Sequence, residues 1–124
     1  MRKILYSPGF GAGWVSWARG ESVEMRRFML EYRPFIEALE AADERDMTLV
    51  TAVIPGQTME VPRCLAPLLE AFASECEERF GNVPYLGGIR DLSVFKVEDG
   101  VRVRIEEYDG SESVITDRHD WEWL

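Results

Sequence analysis

Three glycines at alternate positions, in Gly9-Phe10-Gly11-Ala12-Gly13-Trp14, are the residues best spaced to do chemistry in this chain. They directly follow the short β-branched and apolar run Lys3–Tyr6, which reads as a strand ended by Ser7-Pro8. A glycine can bring its backbone N–H close to a ligand and can adopt positive φ, so a glycine run after a strand is how anion-holding nests are built. Phe10, Trp14 and Trp17 add flat rings on which a nucleobase could stack. The pattern is neither Gly-x-Gly-x-x-Gly nor a Walker loop, and no Lys-Ser/Thr pair follows it. The competing reading is a tight crossing beneath a helix, with the tryptophans in the core.

A second loop, Tyr85-Leu86-Gly87-Gly88-Ile89-Arg90-Asp91, would supply a cation through Arg90 if it lies beside the first. Arg19, Arg26 and Arg27 are the other cations near by in sequence, and an ordinary turn with Arg90 paired to a carboxylate is the alternative. The ligand-binding candidates are therefore Gly9, Phe10, Gly11, Gly13, Trp14, Trp17 and Arg90.

Catalytic and metal-binding constellations fare worse. The stretch Glu106-Glu107-Tyr108-Asp109-Gly110-Ser111-Glu112 carries oxygen ligands for a hard cation, but its spacing is not that of an EF-hand and it reads as a solvated hairpin tip. His119 is the only histidine, so no multi-histidine zinc site can form, and the two cysteines are badly spaced for one. A triad of His119 with Ser7 or Ser16 lacks a nucleophile elbow. The expectation is no catalytic residue, no metal and no cofactor, with an enzyme built on His119 and a carboxylate as the less supported alternative.

These loops need elements to hold them. Ser22 is placed to cap a helix from about Val23, with Met25, Phe28, Met29 and Tyr32 at helical spacing. Pro34 suits the first turn of a second helical piece running to about Ala42, although one kinked helix is equally allowed. Thr48–Ile54 is β-branched and bounded by Pro55-Gly56, which predicts a strand, and Gln57–Val61 reads as a loop. A helix opening at Pro62 or Pro67 and ending at Phe80 gathers Leu65, Leu68, Leu69, Phe72, Cys76 and Phe80 into one stripe, with Gly81 as its left-handed terminator. In Ser93–Glu107, a three-residue loop Glu98-Asp99-Gly100 would pair Val97 with Val101, Phe95 with Val103 and Ser93 with Ile105. A two-residue loop would mix charge into that face. A further turn at Asp109-Gly110 leads into Ser113–Asp117, and the aromatic, acidic end from His119 to Leu124 is expected to dock back onto the domain. The fold class expected is α+β: a single domain over 1–124, mostly antiparallel sheet, with a C-terminal β-meander packed against two or three helices.

Composition bounds the rest. A length of 124 residues suits one core, and four tryptophans, four tyrosines and six phenylalanines must be buried somewhere. A net charge of −9 argues against binding to a phosphate backbone or an anionic membrane surface. It suits a soluble protein, or an acidic face that docks on a basic partner. Cys64 and Cys76 lie twelve positions apart; on one helix they would be ~18 Å from each other, too far for a disulfide, which reads as reduced thiols in the cytoplasm. The N-terminus has neither a long apolar stretch nor a cleavage pattern. Oligomeric state is left open.

Three segments resemble a group of small, mostly uncharacterised proteins encoded by bacteriophages and prophages. They are Lys3-Ile4-Leu5-Tyr6-Ser7-Pro8-Gly9-Phe10-Gly11-Ala12-Gly13-Trp14, then Phe28-Met29-Leu30-Glu31-Tyr32, then Glu106-Glu107-Tyr108-Asp109-Gly110-Ser111-Glu112-Ser113-Val114. Thr48–Leu65 departs from the group. The resemblance implies a mobile-element origin and an accessory role such as counter-defence in the host cytoplasm, and it carries over no catalytic residue. Two functions follow as expectations. One is a non-enzymatic binding protein that holds a small anionic ligand, such as a nucleotide signal, on the glycine and aromatic loop. The other is an acidic protein–protein inhibitor of a host factor, of anti-CRISPR or DNA-mimic type.

Overall fold

The computed structural model describes residues 1–117, so His119 and the aromatic end expected to dock back lie outside the described residues. The chain runs β1 (Arg2–Tyr6), a 3-10 turn (Val15–Trp17), α1 (Val23–Leu30), α2 (Arg33–Ala41), β2 (Leu49–Ile54) and β3 (Gln57–Pro62). It continues with α3 (Ala66–Phe80), a second 3-10 turn (Gly87–Asp91), β4 (Ser93–Val97), β5 (Arg102–Tyr108) and β6 (Ser111–Asp117). The class is α+β, and the strands form three antiparallel ladders, β1 with β4, β2 with β3 and β5 with β6.

Local chemistry explains the helices. Ser22 Oγ accepts the Met25 N–H at 3.1 Å, capping α1. Pro34 falls in the first turn of α2, where its missing N–H costs nothing, and an extended Tyr32 separates the two helices. α3 ends on Gly81 at φ 85°, the left-handed residue that lets its N–H close on the Glu77 carbonyl at 2.9 Å. Leu65, Leu69, Phe72 and Cys76 are buried along its stripe. Phe72 is the hub of the core: its ring centroid lies 4.7 Å from that of Tyr32, 5.0 Å from Phe35, 5.6 Å from Phe28 and 5.7 Å from Trp14. Aromatic pairs at such distances each contribute about 0.5–1.5 kcal/mol beyond the area they bury.

Three expectations are corrected. Gln57–Val61 is not a loop but most of β3, joined to β2 across Pro55-Gly56, with Ile54 opposite Gln57. The Pro-Gly pair makes this a hairpin, since proline presets the first turn position and Gly56 takes φ 85° at the second. β4 does not pair with β5. It joins the N-terminal strand instead, with Ile4 opposite Phe95, and the Val101 N–H closes a turn on the Glu98 carbonyl at 3.3 Å with Gly100 at φ 83°. The apolar residues assigned to that hairpin still meet, because Phe95, Val97, Val101, Val103 and Ile105 pack with Ile4 and Leu30 in one cluster. They do so face against face rather than along a ladder. Finally, Cys64 precedes α3 rather than lying on it, and both thiols are free.

Candidate functional site

The turn Asp109-Gly110 joins β5 to β6 with both residues at positive φ, 50° and 84°, the backbone of a type I′ hairpin. That register puts Glu112 on the same face as Val114 and Thr116, pointing inward, and leaves it only 2% exposed. A buried carboxylate must be compensated by donors. Glu112 Oε1 accepts the Ser7 N–H at 2.8 Å, and Oε2 accepts the Trp14 N–H at 2.8 Å, the Ser16 N–H at 2.9 Å and the Ser16 hydroxyl at 2.6 Å. Backbone bonds complete the seam: Glu112 N–H to Ser7 O at 2.7 Å and Gly11 N–H to Asp109 O at 2.9 Å. Ser111 Oγ donates to Pro8 O at 2.6 Å. Amides that flank the glycine loop thus hold an anion, and that anion is the protein's own.

Among the loop amides expected to face a ligand, that of Trp14 is taken by Glu112 and that of Gly11 by the Asp109 carbonyl. Trp14 needs correction as well. Its ring is fully buried against Phe35 and Phe72, and its indole N–H donates to Met29 O at 2.9 Å, so it offers no stacking face. Burial wins here because a large apolar ring with a satisfied N–H gains more inside than out.

The alternating glycines serve close packing. A Cβ on Gly88 would lie 2.2 Å from the Gly13 carbonyl oxygen, and one on Gly13 would lie 2.3 Å from Ser16 Oγ. The two glycine-bearing loops do converge, backbone on backbone. A Cβ on Gly9 would strike the Asp91 carboxylate at 2.2 Å, and Pro8, Gly9, Arg90, Asp91 and Ser93 line one open groove of about 490 Å³. Arg90 sits exposed with a guanidinium nitrogen 3.5 Å from Glu60. Gly11 alone of the first loop's glycines takes a positive φ, 107°.

Two aromatic residues stand out from the rim. Phe10 is 71% exposed and Tyr108 is 79% exposed, and they flank in sequence the Gly11–Asp109 bond. Trp17 is half-buried, donates to Glu107 Oε1 at 3.2 Å and lies 5.7 Å from the Tyr85 ring at 31°. Of the seven candidates, the structure turns Phe10 and Gly11 outward and leaves Trp17 partly open. Gly9 and Arg90 share one groove, while Gly13 and Trp14 are enclosed. No protein-family model, curated protein or solved structure matches the chain. Its function therefore rests on this geometry.

Sequence reasoning missed Glu112 by treating all of Glu106–Glu112 as a solvated tip, a reading that holds for the exposed Glu106, Tyr108 and Asp109. The signal was present, because a two-residue Asp109-Gly110 turn puts Glu112 in phase with Val114. Among the described residues no group of three His, Cys, Asp or Glu is placed to hold a metal ion, and no described helix is long and apolar enough to cross a membrane. Burial, then the Glu75 charge, pushes the Cys76 thiol up to about 12, and burial raises Cys64, so neither is poised as a nucleophile.

Proposed function

We propose that this chain is a non-enzymatic, acidic protein-binding module of bacteriophage or prophage type, acting on a host protein as an inhibitor would. The observation that carries this reading is the exposed pair Phe10 and Tyr108, held on a rim that Glu112 pins from inside. Exposed aromatics on a pre-ordered loop are the residues on which protein interfaces concentrate their energy. Asp109 and Glu106 are exposed beside them, and with a net charge of −9 they favour a basic surface opposite. The test is capture of binding proteins from bacterial lysate on the immobilised chain, compared with Phe10→Ala and Tyr108→Ala. Both side chains are solvent-facing, so each variant is expected to keep its melting temperature and lose most of the captured protein. Elution should come at lower salt for Asp109→Asn. Equal capture by all forms would overturn the rim as the contact surface.

A small anionic ligand, such as a nucleotide signal, is the second reading. Its specific support is the groove shared by Gly9 and Arg90. Against it, Asp91 lines the same groove, and the Trp14 ring cannot reach a base. Calorimetry with mono-, di- and cyclic nucleotides tests it. Heat that disappears in Arg90→Ala would favour the ligand, and none at millimolar concentration would dismiss it.

A further inference from the structure

A second groove, of about 250 Å³, lies between α1 and β5, and its charged lining residues are all basic. Val23 and Leu30 of α1 line it together with Val103, Arg104 and Ile105 of β5. Successive side chains of a strand point to opposite faces, so a groove touched by three in a row runs along the strand's edge rather than under one face. β6 occupies the other edge of β5, and among the described residues no strand pairs with this one. An open edge presents a row of backbone N–H and C=O groups, the template on which an extended peptide adds as a strand.

Charge says which peptide. Arg26 and Arg27 line the groove, are exposed, and form no ion pair among the described residues. Arg104 also lines it and lies 3.1 Å from Glu106. Three arginines and no acidic residue line this groove in a protein with 23 acidic and 14 basic residues, and the lining residue Val23 is 51% exposed. Arginine is the side chain suited to forked contacts with carboxylates.

We infer that the edge of β5 facing α1 is a docking site for an extended acidic peptide of a partner protein. The peptide pairs with the β5 backbone, seats an apolar side chain on the exposed Val23, and sets its carboxylates against Arg26 and Arg27. This does not rest on the rim reading, and the rim variants leave it untouched.

The probe is a fluorescein-labelled heptapeptide alternating glutamate with valine, titrated into the full chain and followed by anisotropy. Binding in the micromolar range is expected, with amide shifts concentrated on 103–105 in a nitrogen–proton spectrum. The double variant Arg26→Glu, Arg27→Glu is expected to weaken it by about tenfold or more, and so is raising salt to about 0.5 M. The matching lysine–valine peptide tests the charge on the unaltered protein and should not bind. Several results would overturn the proposal. One is no binding at millimolar peptide; another is equal binding of the lysine peptide. Others are cross-relaxation in the free protein between the Trp121 or Trp123 ring and the methyls of Val103 or Ile105, a dimer that competes with the peptide, or preference for phosphatidylglycerol vesicles.

Discussion

Glu112 is the residue on which the local structure turns. Among the described residues it is the only buried acidic or basic side chain, and four donors from Ser7, Trp14 and Ser16 converge on its two oxygens. A neutral amide of the same shape would set an NH₂ against at least one of those N–H groups. Glu112→Gln is therefore expected to lose about 2–4 kcal/mol, since a hydrogen bond to a charged group and an orphaned buried donor each cost one to three. Urea unfolding measures it; a change below about 0.5 kcal/mol would mean that the charge does not hold the loop. Glycine substitutions separate two roles. Gly88→Ala would drive a methyl into the Gly13 backbone, which cannot retreat as a side-chain tip can, and should cost about 1–3 kcal/mol or more. Gly11→Ala meets nothing within 4 Å and suffers only from its φ of 107°, so its cost should be near 1 kcal/mol. Finding Gly11 the more sensitive of the two would contradict the packing account. Of this residue detail, only the inward phase of Glu112 behind the Asp109-Gly110 turn was readable in advance. The glycine spacing signalled an anion nest, but nothing in Gly9–Gly13 says whether the anion comes from outside or from a residue about a hundred positions later.

At the scale of elements, legibility followed how locally each signal was written. α3 was plain because its apolar stripe, its prolines and Gly81 all lie within one stretch of chain. α1 likewise carried its own cap in Ser22. β3 was not, since Gln-Thr-Met-Glu-Val has a propensity that only pairing with β2 resolves. Its Gln57 side chain then became a tie, with Nε2 donating to Pro84 O at 2.8 Å and Oε1 accepting the Leu86 N–H at 2.9 Å. The packing of α3 against α1 and α2 also makes an alkaline limb. Burial, then hydrogen bonding to Glu75, pushes Tyr32 up to about 12, and burial pushes Cys76 up to about 12. Both groups keep their protons longer folded than unfolded, where they titrate from 10.0 and 9.0. Their contribution is complete below pH 9 and is lost as pH rises from there to about 12. The melting temperature should fall steadily over that window, and less steeply in Cys76→Ala after allowance for its lower starting stability. A flat profile to pH 12 would contradict the buried-acid assignment.

At the scale of the molecule, charge and topology were unequally written. The excess of acidic side chains, 23 against 14, predicts self-repulsion whatever the fold, so moderate salt should raise the melting temperature by a few degrees at neutral pH. A drop instead would mean that exposed pairs such as Lys3–Glu40 outweigh the repulsion. Strand order was not written so plainly. The alternation over Ser93–Glu107 identifies which side chains are apolar, and the structure brings them together in one cluster. Yet β4 hydrogen-bonds to β1, some ninety residues away in sequence, rather than to its neighbour β5. Burying an apolar face is non-directional and is satisfied equally by ladder or by packing.

Composition and periodicity alone determined the α+β class, the α3 stripe with its Gly81 terminator and the Ser22 cap of α1, and they singled out turns at Glu98–Gly100 and Asp109-Gly110. Those properties depend on nearest neighbours and on the chain's own stereochemistry. Only the tertiary structure decided that Glu112 accepts the amides around the first loop, that Trp14 is core while Phe10 and Tyr108 face outward, and that one edge of β5 has no strand partner among the described residues. Each of these is a choice between partners far apart in the chain, and one residue's type does not name the residue it will meet.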